Sequence, residues 1–370
     1  MLVGGALLSQ LTGAVHAFYL FDVAQAIDLA ALERLLGPQA ASATLTDKSA
    51  GPPRVRYFVP PIVVDGAVLG AGAIAGFTVR VKAYDYGVLS FMLSRPFTGS
   101  WDALAALGPE LIESESLERQ AADACTAMVD RLRPALTGIR PAFLSEDYLA
   151  FVVHGLDKPG AADQVMDEHG ADIAQLLRGE RQALSRQERE DVLRHRLSYL
   201  TDDLVVPAYN AAFVLDTEAG QLGVLEILEF VNSQLLEFRY HDELLESELT
   251  RTYSELQKPR WFDRYFGRRP TRAALHLHSV FVDVNELTDR LENSLKLVGD
   301  LYSSRLFGLA AARLGLDAWK RNVEEKLKTL DDIYRFAVEQ RGAAQANLLE
   351  LVIVLILVIE LGLLLAGIMK

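Results

Sequence analysis

Hydrophobic and polar positions divide the chain into three stretches of different character. The first is a patchwork of strand-like and helix-like segments. Ala14–Phe21 is a nearly unbroken run of apolar and aromatic residues, the mark of a buried strand. A short helix is expected near Asp28–Leu36, then a Gly/Pro/Ser/Ala loop over Gly37–Pro53. Val55–Val59, Phe77–Tyr84 and Val88–Leu93 are rich in β-branched and aromatic residues and bounded by Pro or Gly, which predicts strands. Ser100 can cap a helix that starts at Trp101, and a longer helix should run from Glu110 to Arg133. Tyr148–Val153 predicts a further strand. Helices follow near Asp163–Leu177 and Ser185–Arg194, and Leu204–Val206 and Ala211–Leu215 close the sheet. The expectation is a mixed α/β domain over residues 1–219.

After Gly220 the period changes. Val224, Leu228, Val231, Leu235, Phe238, Asp242, Leu245, Leu249, Thr252 and Leu256 are spaced alternately by four and three, a heptad seam. A second seam runs Leu277, Phe281, Val284, Thr288, Leu291, Leu295, Val298, Tyr302, Arg305 and Leu309. Pro259, Gly267 and Pro270 lie between them and break helices. This predicts an antiparallel, coiled-coil-like helical hairpin, with a further helical stretch over Asp317–Arg341, filling residues 220–346.

The third stretch, residues 347–370, is almost wholly apolar. Leu348–Met369 is long enough for the ~20 residues that a helix needs to cross a bilayer. Fourteen Leu, Ile or Val residues between Leu351 and Met369 contribute about −6 kcal/mol to insertion, against roughly +3 kcal/mol for Glu360. The expectation is α+β architecture ending in one C-terminal transmembrane helix, a tail anchor followed only by Lys370. Lys326, Lys328, Arg335 and Arg341 before it place the soluble part in the cytoplasm. No Lys or Arg precedes Arg34, so Val15-His16-Ala17 is not read as a signal-peptide cleavage site.

Composition sharpens this picture in two places. The 370 residues carry a formal charge of −13, which argues against wholesale nucleic-acid binding. A single cysteine, Cys125, excludes an intramolecular disulfide and a cysteine zinc cluster. Within this acidic chain Lys258–Arg272 stands apart: six basic residues, one acid and four aromatics, among them Arg260, Trp261, Arg264, Tyr265, Arg268 and Arg269. Such a mixture suits anionic headgroups or exposed bases, or else is a solvated turn whose aromatics pack on the helical arms.

Candidate chemistry is sparse. Gly70-Ala71-Gly72-Ala73-Ile74-Ala75 fits the dinucleotide fingerprint, but Phe77–Val81 after it is strand-like where a helix is required, so a small-residue turn is favoured. There is no P-loop. His276 and His278 point about 200° apart on a helix and cannot share a metal. Asp202-Asp203 is the strongest acidic pair; a turn or strand cap is the plainer reading, and metal coordination the sharper one. Glu350 and Glu360 are the polar residues of the apolar tail, and a midplane Glu360 implies a partner chain at an oligomer interface.

Tyr199–Glu246, and above all Leu228–Tyr240 (LEFVNSQLLEFRY), resembles the family named for a requirement in meiotic nuclear division, which includes the Sif and YagE-type proteins. Tyr84–Val88 resembles that family's Tyr-Gly strand start, and Glu350 and Glu360 fall at the two acidic places of its C-terminal anchor. The resemblance implies a single-pass membrane protein with a domain of unknown function and no established catalytic residues. Its mitochondrial relatives sit on the inner membrane and are linked to translation. Gly308–Asp317 makes the segment before the anchor longer here, and the missing presequence points to a bacterial plasma-membrane member.

The functional expectation is a membrane scaffold or tether that binds a protein partner through its cytoplasmic domain, as a homo-oligomer and without cofactor. Glu229, Asn232, Arg239 and Tyr240 are the candidates for polar contacts between hairpin and globular domain; the alternative is that they are ordinary exposed helix positions. A rival expectation is a metal-dependent phosphoester hydrolase using Asp202, Asp203 and hairpin carboxylates.

Overall fold

The computed structural model describes residues 10–37, 41–42, 59–69, 72–112, 114–156, 161–256 and 301–333, with residues 282, 335, 353, 354 and 356–358. The chain divides into two compact units, Met1–Tyr240 with Arg290–Asp317, and His241–Asp289 with Ala318–Lys370.

The first unit is built on one mixed sheet. Its strands are β1 (Leu11–Ile27), β2 (Ala41–Ser42), β3 (Ile62–Asp65), β4 (Ala73–Ile74), β5 (Phe77–Ala83), β6 (Val88–Gly99), β7 (Leu136–Leu156), β8 (Leu204–Pro207) and β9 (Ala211–Leu215). They lie in the order β2-β3-β5-β6-β1-β7-β9-β8, with β4 pairing β5. β1 is central and antiparallel to both β6 and β7; β7 and β9 form the parallel pair.

Alternation along β1 shows why both faces must be covered. Leu11, Val15, Ala17, Tyr19 and Phe21 point into one core with the helices α1 (Leu29–Leu36), α2 (Trp101–Ala105), α3 (Gly108–Leu111), α4 (Glu115–Leu132), α5 (Ala162–Arg178) and α6 (Arg186–Arg194). Phe18, Leu20 and Asp22 point the other way and are also buried. That second face lies under α7 (Gln221–Leu256), alongside α8 (Leu301–Arg313). The unit is therefore a three-layer sandwich, helices on both faces of one sheet.

Local chemistry explains the boundaries. Asp28 caps α1 by accepting from Ala31 N–H, and Ser100 caps α2 by accepting from Ala103 N–H. The helix expected over Glu110–Arg133 is split, because α3 ends at Leu111 and Ser114 occupies the N-cap of α4. β7 is far longer than Tyr148–Val153, since its first half pairs with β1 through Ile27↔Leu136 past a bulge. Gly72–Ala75, the described part of the fingerprint segment, leads into a hairpin and not a helix: β4 pairs with β5, and Ala75 and Gly76 between them both have positive φ, 48° and 84°, as a type I′ turn requires.

From Gly223 to Phe238 every residue of α7 except Glu226 is buried. A two-stranded coiled coil would hide only its seam; this helix is embedded on all sides. The rest of the second predicted arm, from Leu277 up to α8, lies outside the described residues apart from the single residue 282, as does Lys258–Arg272 with Arg260, Trp261, Arg264, Tyr265, Arg268 and Arg269.

The expected C-terminal transmembrane helix is overturned. Among the described residues no helix is long and apolar enough to cross a membrane. Of Leu348–Met369 only Ile353, Val354, Ile356, Leu357 and Val358 are described; they are helical and exposed, and no described apolar run approaches the ~20 residues of a crossing. The tail anchor and the single-pass plasma-membrane localisation fall with that helix. Glu350 and Glu360 lie outside the described residues.

Candidate functional site

The most concentrated chemistry in the first unit is a polar layer between the sheet and α7. Thr217 ties the turn that leads into α7: its carbonyl accepts from Gln221 N–H, and its hydroxyl accepts from Gly220 N–H at 3.0 Å. The following turns turn buried polar groups toward the sheet. Glu229 receives Lys82 Nζ from β5 in an ion pair with both side chains largely buried. One turn on, Ser233 Oγ lies 2.8 Å from Tyr86 Oη, and Gln234 Nε2 lies 3.4 Å from the same hydroxyl. Arg239 then pairs with Glu146 of β7. Tyr240 accepts from Arg140 Nη1 at 2.6 Å, with the guanidinium stacked 3.7 Å over its ring. The same Arg140 donates through Nε to both oxygens of Asp22, at 3.2 and 3.1 Å.

Burial dominates the electrostatics. It pushes Asp22 up to about 6 against the pull of Arg140. It raises Glu146 against Arg239, and raises Tyr86 well above an ordinary phenol. Toward the other end of β1, His16 Nδ1 lies 2.8 Å from Ser94 Oγ. Burial, then Arg80 and His154, lower the His16 imidazole to about 4.

Of the residues singled out in the sequence, Glu229, Arg239 and Tyr240 meet Lys82, Glu146 and Arg140, which lie between 93 and 147 residues away. Asn232 does not reach the sheet; its amide donates to Leu228 O of its own helix at 2.8 Å. Asp203 is a turn-former, its two oxygens accepting from Tyr199 N–H and Leu200 N–H, each at 2.7 Å. Asp202 beside it is exposed. Among the described residues no three His, Cys, Asp or Glu side chains are placed to hold a metal ion. Sequence reasoning missed Asp22, Lys82, Tyr86, Arg140 and Glu146. Asp22 and Lys82 carry one local signal, a charge inside an apolar strand pattern, as in Leu20-Phe21-Asp22-Val23 and Val81-Lys82-Ala83; Tyr86, Arg140 and Glu146 carry none.

In the second unit, an open groove of about 520 Å³ lies on α7 beside Asp242, Glu243, Glu246, Thr250 and Arg251. Lys326 binds Asp242 and Glu246 at 3.0 and 2.8 Å, so part of its acidic lining is already neutralised.

Residues 12–221, more than half of the chain, match the family described as the N-terminal domain of uncharacterized protein MJ0711. The chain belongs to that family. Uncharacterized protein MJ0711 of the archaeon Methanocaldococcus jannaschii is 25% identical over 206 residues, 56% of this chain and 62% of that protein. The chain thus spans less than two thirds of the relative that it matches. No solved structure matches. The family match ends at residue 221, before the Leu228–Tyr240 segment that carries the resemblance to the meiotic-nuclear-division family, and neither match relates to that family. The relative is archaeal, so nothing in it supports a bacterial plasma-membrane assignment.

Proposed function

We propose that this chain is a protein-binding scaffold, with the sheet-and-α7 sandwich as its rigid frame. The observation that carries the reading is that three sets of charges in the sheet–α7 layer are bound to partners within it: Lys82 to Glu229, Arg239 to Glu146, Arg140 to Asp22 and Tyr240. A catalytic acid or base needs a perturbed group facing a cleft where substrate can reach it. Here the perturbed groups Asp22, Glu146 and Tyr86 lie beneath a helix and are bound to it or to each other's partners. Such a layer fixes the rotation and register of α7 on the sheet, which is what a presenting frame requires. The test is crosslinking and affinity capture of the full chain under native conditions. Recovery of one protein partner in fixed stoichiometry supports the scaffold. Phosphoester turnover with added Mg2+ or Mn2+, lost in Asp202→Asn, would overturn it in favour of the hydrolase.

A further inference from the structure

Three further features lie outside the polar layer. The α7 groove has part of its acidic lining bound by Lys326. His16 and His154 have no third ligand among the described residues. The remaining feature is an exposed surface in the first unit, where the loop before β8 meets the start of α8.

Tyr199 and Leu200 are 70% and 61% exposed, and Leu301 is 77% exposed. The Tyr199 ring packs on Tyr302, with centroids 5.4 Å apart, which joins the loop and the helix into one patch. The loop is held in place. Asp203 is buried and binds the backbone N–H groups of both Tyr199 and Leu200, so the two large side chains are presented on a fixed turn. Exposed Tyr and Leu side chains on a pinned backbone suit an interface core, because little loop freedom is left to lose on binding.

The charges at this patch identify its occupant. Asp202 borders it on the loop, and Arg305 borders it one helical turn beyond Leu301. Both are exposed and neither has an ion-pair partner among the described residues. An apolar centre bordered by unpaired charges of both signs is self-complementary under a two-fold axis, which sets each Arg305 against the other copy's Asp202. Strand addition at the neighbouring sheet edge is blocked. Val205 N–H and C=O are both bound to Leu197, at 2.8 and 2.9 Å, and Pro207 has no N–H to give. We propose that Tyr199, Leu200 and Leu301, flanked by Asp202 and Arg305, form an isologous interface with a second copy of this chain. The inference rests on the scaffold reading and names one of its partners as the chain itself.

The experiment is sedimentation velocity on the purified full-length protein and three variants, Asp202→Arg, Arg305→Glu and the double reversal. Each single reversal is expected to weaken the dimer about tenfold or more, and the double to restore it to near the original constant. Leu200→Cys should form a disulfide-linked dimer on mild oxidation, while Glu33→Cys on α1 should not. A monomeric wild type, single reversals without effect, or a double variant no tighter than either single would overturn the interface. The charge swap separates association through this patch from association through any other part of the chain. Only the purified protein is used, so failure here leaves capture of a different partner as the separate test of the scaffold.

Discussion

Lys82 on β5 and Glu229 on α7 are 147 residues apart and form an ion pair in which the side chains are 12% and 4% exposed. Removing one partner leaves a buried charge without compensation, which typically costs about 3–5 kcal/mol. Glu229→Leu or Lys82→Met alone should therefore lower unfolding free energy in urea by that amount. The double variant Lys82→Met/Glu229→Leu should recover most of the loss, since replacing both members of a buried pair by apolar groups is often neutral. Additive losses would show that the two residues do not act as a pair.

This pairing also marks how far the sequence could be read. The β1 core was legible because Ala14–Phe21 is apolar or aromatic at every position but His16. The type of α7 was legible from its heptads, but its burial was not: a seam pattern does not say whether a sheet also covers the other sides. The first half of β7 was invisible because Leu136–Ser145 is only partly buried and has no alternation; its ladder with β1 makes it a strand. The polar layer could not be paired in advance, because each bond joins residues roughly a hundred positions apart and nothing local encodes the partner.

Gly87 is a place where backbone geometry alone dictates the residue. Its φ is +96°, and a Cβ built there would lie 1.8 Å from Ala24 O. Its carbonyl also accepts from Val23 and Ala24 N–H, so the turn is tied to the β1 bulge. Gly87→Ala should cost more than about 4 kcal/mol or prevent folding, the range reserved for strain and overpacking combined. Gly315 has φ +71° but open space around it, and Gly315→Ala should cost only about 1–2 kcal/mol. Equal losses in thermal unfolding would mean that the close approach to Ala24 is not the cause.

The buried thiol of Cys125 gives a chemical test of the first core. It lies on α4 with no exposed surface, and burial raises its pKa. The thiolate is the reactive form, so the native protein should resist a disulfide reagent at pH 8 and react with one equivalent only on unfolding. Fast native reaction would mean that α4 opens locally from the sheet.

His16 should make stability depend on pH in a defined direction. Its folded pKa, about 4, lies below the ordinary 6.5, so the unfolded chain binds more protons between those values. Its contribution is whole above pH 6.5 and is lost as pH falls toward 4, to the extent of about 3 kcal/mol. Asp22 acts in the opposite sense. Its folded pKa is raised from 3.8 to about 6, so acidification through that window stabilises the fold and flattens the wild-type curve. The two are separated by variants. The stability advantage of wild type over His16→Asn should shrink as pH is lowered from 7 to 4, whereas the difference between wild type and Asp22→Asn should move the other way. If denaturation curves for wild type and His16→Asn stay parallel across that range, the imidazole is not held neutral by the sheet.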